Sequence, residues 1–126
     1  PPKKKPSILI IDPDLHLANI LLLRFQLDGW TARMAKSIEQ AKKMLARKSS
    51  DILLLDPKHE SESGAHFLAL VGSSVEKAGK LIVHTTDFSR AANAVWKKHA
   101  VSAVLQKGQY SLVDFVKKIK KIHLGH

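Results

Sequence analysis

From Ser7 onward the chain alternates short aliphatic runs with longer stretches of helical periodicity, and this alternation constrains the fold more than any other feature. The runs are Ile8–Ile11, Thr31–Met34, Ile52–Leu55, Leu81–Val83 and Ala103–Leu105. Ile8–Ile11, Ile52–Leu55 and Leu81–Val83 are apolar throughout, as strands covered on both faces must be. Helical periodicity fills the intervals at Leu15–Leu27, Ile38–Lys48, Ala65–Val71, Arg90–His99 and Leu112–Ile122. The last of these sets Leu112, Phe115, Val116, Ile119 and Ile122 on one face and Lys117, Lys118, Lys120 and Lys121 on the other. The boundary residues agree: Asp28-Gly29 can end the first helix, Ser37 can cap the second with Gln40 three residues on, and Ser89 can cap the fourth. Strand–helix alternation predicts an α/β fold, a five-stranded doubly wound parallel sheet with five flanking helices. Right-handed crossovers gather functional groups beyond the carboxyl ends of the strands.

A length of 126 residues is one domain's worth, and 44% apolar content argues against intrinsic disorder. The segment 1–6, three lysines between prolines, reads as a lead-in or linker, and 7–124 reads as the folded domain. The absence of cysteine excludes disulfides and Cys-ligated metal sites. No apolar stretch is long enough to span a bilayer and no signal-peptide pattern opens the chain, so a cytoplasmic setting is expected. The seven histidines include no pair at a recognised zinc spacing, which leaves them as surface or packing residues. His84 should point to the side of its strand opposite Thr85 and pack. The excess of 21 Lys+Arg over 11 Asp+Glu gives a net charge of +10. It favours an anionic partner, nucleic acid included, or is simply a solvated lysine-rich surface. Nucleic acid is the weaker idea, because only 6% of residues are aromatic and none is interleaved with the basic ones for stacking.

Chemistry appears at the residues that follow each strand. Asp12, Pro13 and Asp14 follow the first, Asp56 the third, Thr85 and Thr86 the fourth, and Lys107 the fifth. Carboxylates, a hydroxyl and an ammonium on one sheet edge suit a magnesium ion and a phosphoryl group. The run Ile8-Leu9-Ile10-Ile11-Asp12 and the strand Asp51-Ile52-Leu53-Leu54-Leu55-Asp56 resemble the receiver domains of bacterial response regulators, which have a CheY-like, flavodoxin-like three-layer fold. Gly64 lies eight residues after Asp56, Thr85 lies 29 after it, and Lys107 lies 22 beyond Thr85, close to the family spacing.

The resemblance covers Ser7 to Ile122 and implies a phosphorelay module. Asp56 would accept a phosphoryl group from a sensor histidine kinase or phosphotransfer protein. Asp12, Asp56 and the Lys58 carbonyl would hold magnesium, with Asp14 sharing the work. Thr85 would hydrogen-bond one phosphoryl oxygen, with Thr86 as the substitute if the register slips by one, and Lys107 would pair with another. No independent enzyme is implied, only self-phosphorylation from a phosphodonor and slow autodephosphorylation; no glycine-rich nucleotide loop or nucleophile elbow is present.

Four positions depart from the family pattern. Pro13 stands where a second acid is usual, which predicts a weakened magnesium site. Pro57-Lys58-His59-Glu60 replaces a loop that more often has Met-Pro at the last two positions. Gly108 replaces the proline after the lysine, so the Lys107–Gly108 bond should be trans and Lys107 looser. Val104 stands where the family often carries a switching aromatic ring. These departures leave open a pseudo-receiver, a phosphorylation-independent interaction module. The first helix is apolar on nearly all sides, so Leu22 or Leu23 either meets a partner (a second copy or an attached output domain) or is covered by a loop.

Overall fold

The computed structural model describes residues 5–57, 79–97 and 101–125. Within them lie β1 (Ser7–Ile11), α1 (Leu15–Leu27), β2 (Thr31–Ala35), α2 (Ile38–Arg47), β3 (Ile52–Leu55), β4 (Lys80–Thr85), α3 (Arg90–Lys97), β5 (Val101–Gln106) and α4 (Leu112–Leu124). The helix expected at Ala65–Val71 falls outside the described residues. All strand pairs are parallel, in the order β2-β1-β3-β4-β5. β4 and β5 extend to polar residues beyond the apolar runs, because ladder hydrogen bonds and not hydrophobicity set strand ends.

Strand parity builds a core on each face of the sheet. Ile8, Ile10, Ile52, Leu54 and Ile82 pack with Ala18, Leu21 and Phe25 of α1 and Phe115, Val116 and Ile119 of α4. Leu9, Ile11, Leu53, Leu55, Leu81 and Val83 pack with Ile38, Ala41 and Leu45 of α2 and Trp96 of α3. β1 and β3 are buried at every residue, which explains their unbroken apolar runs.

The helix ends follow the capping residues. Ser37 Oγ accepts the Gln40 N–H at 3.0 Å while Gln40 Oε1 accepts the Lys36 N–H at 2.6 Å. Ser89 Oγ accepts from Ala92, and Asp28 and Gly29 close α1 with their N–H groups on carbonyls of its last turn. α2 ends at Arg47, one residue short of the expected end, because Lys48 is already extended. At the edge of the sheet, Arg33 on β2 donates to the carbonyls of Lys48 and Ser49 just beyond that helix. The surplus apolar surface of α1 is divided: Leu22 is half-buried, whereas Leu23 and Leu27 are 52% and 82% exposed. Among the described residues no helix is long and apolar enough to cross a membrane.

Candidate functional site

Backbone register brings the strand-end residues together. Ile11 pairs with Leu55 and Leu55 with Val83, and the Asp56 N–H donates to the Ile11 carbonyl at 2.9 Å. Asp12 and Asp56 therefore leave the sheet side by side at its carboxyl edge. β5 slips by one residue at Ser102, since Leu81 faces Val101 but Ile82 faces Ala103. The slip places Thr85 opposite Gln106, and the Lys107 N–H then donates to the Thr85 carbonyl at 2.7 Å.

Lys107 crosses the sheet edge to both acids. Its Nζ lies 2.6 Å from Asp56 Oδ2, 2.9 Å from Asp12 Oδ2 and 3.1 Å from Asp12 Oδ1. All three side chains are largely buried, so the ion pairs are only weakly screened. Burial alone would pull the lysine pKa down, yet its hydrogen bonds to Asp56 and Asp12 outweigh this and hold the ammonium above its ordinary value. Asp12 moves upward because burial outweighs the hydrogen bonds from Lys107 and the Asp14 N–H. One ammonium thus bridges two largely buried carboxylates. Lys107 reaches both acids with Gly108 after it, and the described residues contain no cis peptide.

Thr85 is completely buried at the end of β4, and its Oγ1 accepts the Asp87 N–H at 3.0 Å, whereas Thr86 is exposed. The register has not slipped, so Thr85 is the inward hydroxyl. Asp14 is exposed, and its carboxylate accepts the Leu17 N–H at 3.1 Å as the N-cap of α1. Its backbone N–H donates to Asp12 Oδ1 at 2.8 Å, which ties the start of α1 to the site. Lys58 and Gly64 lie outside the described residues. No cluster of three or more His, Cys, Asp or Glu forms among the described residues.

His84 lies on the face opposite Thr85, as parity requires, with its ring centroid 4.3 Å from that of Phe115. Burial first, and then the nearby Lys107 charge, depress its pKa from 6.5 to about 4. The folded state thus binds fewer protons than the unfolded state between these values, so stability falls as pH drops from 6.5 towards 4. The full effect amounts to roughly 3 kcal/mol. Urea unfolding across that range should give a visibly shallower pH slope for His84→Phe than for the parent chain. An unchanged slope would mean that His84 is not the proton-linked group.

The sequence missed the capping role of Asp14, because an Asx cap and a metal-binding acid use the same residue type. It also missed the β5 slip that sets the level of Lys107. No protein-family model matches the chain, and no curated protein matches it. Solved structures do. A CheY-like receiver domain protein from Methanospirillum hungatei JF-1 is 18% identical, with a TM-score of 0.84 over 97% of this chain and 96% of that one. Chemotaxis response regulator CheY4 of Vibrio cholerae is 16% identical, with a TM-score of 0.82 over 94% and 99%. A two-component response regulator from Clostridium difficile is 18% identical, with a TM-score of 0.84 over 94% and 95%. In strand order and in overall superposition, the chain has the CheY-like fold of response-regulator receiver domains.

Proposed function

We propose that this domain accepts a phosphoryl group on Asp56 from a phosphohistidine donor and passes the resulting change to a partner or output domain. The observation that carries the reading is Lys107 bridging Asp12 and Asp56 at the sheet edge. A carboxylate oxygen of Asp56 attacks phosphorus, the donor's P–N bond breaks, and an acyl phosphate forms as the imidazole leaves. Lys107 follows the new charge from the carboxylate to a phosphoryl oxygen. Thr85 can donate its hydroxyl proton while its oxygen still accepts from Asp87.

The donor set fits magnesium at its minimum, since Asp12 and Asp56 supply hard carboxylate oxygens and the raised Asp12 pKa marks negative charge that a cation would offset. Such an ion would be held by Asp12 and Asp56, with the Lys58 carbonyl, and would neutralise phosphoryl charge. With one oxygen of Asp14 engaged as a cap and Pro13 offering no ligand, its affinity should be low. The exposed residues Leu23 and Leu27 of α1 offer an apolar surface for a kinase, a phosphotransfer protein or a second copy.

The pseudo-receiver reading draws on the same bridge, because Lys107 already provides a cation between the two acids. Incubation with acetyl phosphate and magnesium, followed by intact-protein mass spectrometry, separates the two. Phosphoryl transfer predicts one added phosphoryl group, absent in Asp56→Asn. If the parent chain acquires no adduct and calorimetry detects no magnesium binding, the phosphoacceptor reading is lost to the pseudo-receiver.

A further inference from the structure

α1 and α4 lie on the same face of the sheet, and both run from its carboxyl edge back towards its amino edge. Near the carboxyl edge a cavity of about 320 Å³ opens between them, with Leu17 and Ile20 of α1 and Leu112 and Phe115 of α4 in its walls. Towards the amino edge, Arg24 of α1 and Lys120 of α4 converge on Asp28, so these two residues mark the facing sides of the helices. Helical spacing extends each side into a row. Leu17, Ile20 and Leu27 share the row of Arg24, and Val113, Lys117 and Leu124 share that of Lys120. Ile20, Leu27, Val113, Lys117 and Leu124 are all exposed. The furrow between the helices is therefore apolar in its cavity and along its rims. Its charge is one-sided, because Asp28 serves both Arg24 and Lys120, while Lys117 makes no ion pair among the described residues.

We propose that this furrow binds an acidic amphipathic α-helix of a partner chain, with one large apolar side chain of that helix seated in the cavity. Shape favours a helix: a concave apolar cavity accepts a protruding side chain, which a bilayer surface does not present. Spacing agrees, because Ile20 and Leu27, like Lys117 and Leu124, lie seven residues apart and repeat as the anchors of a helix laid along them would. Charge sets the chemistry. The cations on both rims call for carboxylates on the occupant, whereas a second copy would bring its own lysines to a chain already at +10. In taking α1 as a partner-facing surface this rests on the function proposed for the domain. The furrow runs away from Asp12 and Asp56, however, so the helix would hold a partner and not deliver a phosphoryl group.

The probe is a fluorescent peptide of about 18 residues, with leucines and one phenylalanine at helical spacing and glutamates on its other positions. It is titrated into the whole chain without magnesium or phosphodonor. The readout is thus separate from the acetyl phosphate test: a missing phosphoryl adduct does not predict lost peptide binding, nor the reverse. Anisotropy should saturate with a Kd of about 100 μM or tighter, and amide shifts should centre on α1 and α4. Leu27→Ser and Lys117→Glu, both at exposed positions, should each weaken binding at least about fivefold. Lys118→Glu makes the same charge change two residues before Lys120, on nearly the opposite side of α4, and should weaken it less than about twofold. A scrambled peptide of the same composition should bind at least about tenfold more weakly. Equal losses in Lys117→Glu and Lys118→Glu, equal binding of the scrambled peptide, or no saturable binding would each overturn the proposal. So would sedimentation with phosphatidylglycerol vesicles in place of peptide binding.

Discussion

Replacing Lys107 with methionine is expected to lower stability by about 3 kcal/mol at neutral pH, despite a side chain of similar length and greater hydrophobicity. The loss comes from what remains. Asp12 and Asp56 stay buried at the sheet edge, and two carboxylates without a shared cation repel one another in a region of weak screening. The cheapest relief is a proton. Asp12 already sits above its ordinary pKa of 3.8 with the lysine present, and in Lys107→Met it rises further. A folded-state pKa above the unfolded one means that the native state binds more protons in between, so stability falls as pH rises through that window. The variant should therefore be close to the parent chain near pH 4 and fall away from it towards pH 7. At the opposite end, the raised pKa of Lys107 makes the parent lose stability above pH 10.5, a loss that the variant lacks. Urea unfolding at a series of pH values measures both limbs. A deficit that does not change with pH would show that Lys107 contributes packing and not charge compensation. Removing one acid as well, in Lys107→Met with Asp56→Asn, should recover most of the loss, because a single carboxylate is left to desolvate.

How far the chain could be read in advance depended on whether a feature is set by parity or by local geometry. Asp12, Asp56 and Lys107 were legible because parallel strands of similar length end at one edge, and the residue after each end has nowhere else to go. His84 was legible for the same reason, since neighbours on a strand point to opposite faces. The slip at Ser102 was not, because one extra residue in a short apolar run leaves no compositional trace. The capping role of Asp14 was hidden for a different reason. An acid three residues past a strand and one before a helix satisfies both the ligand pattern and the cap pattern, and only the structure shows its carboxylate accepting the Leu17 N–H. The apolar excess of α1 showed that some leucine must be exposed, but not that Leu27 would be the most exposed. Charge excess was the least informative signal. Part of it is absorbed locally, as Lys120 and Arg24 converge on Asp28 and hold its carboxyl below its usual range.

Gly79→Ala should be among the most damaging single-atom-scale changes, at about 3 kcal/mol or more, although it lies at the end of the sheet remote from the acids. Gly79 has φ of +99°, in the region where a Cβ is strained, and it precedes β4 directly. A Cβ there would collide with the Asp51 carbonyl oxygen and lie 2.9 Å from its carbon and 3.1 Å from its Cα. Those are backbone atoms, so no side-chain rotation relieves the contact. Nor can Asp51 retreat cheaply. Its carbonyl accepts the Lys80 N–H at 2.9 Å, its carboxylate accepts from the Ser7 N–H and hydroxyl, and its own N–H donates to Ser7 Oγ. The starts of β1, β3 and β4 are therefore tied to one residue, and displacing it strains the strands that carry Asp12 and Asp56. Gly29 is the control, with a similar φ of +87° but nothing within 4 Å of a built Cβ, so Gly29→Ala should cost only about 1 kcal/mol. Measured by urea unfolding, a gap of about 2 kcal/mol between the two variants isolates the collision from the backbone strain they share. Equal losses would mean that Asp51 yields freely and that the clamp at the start of the sheet is soft.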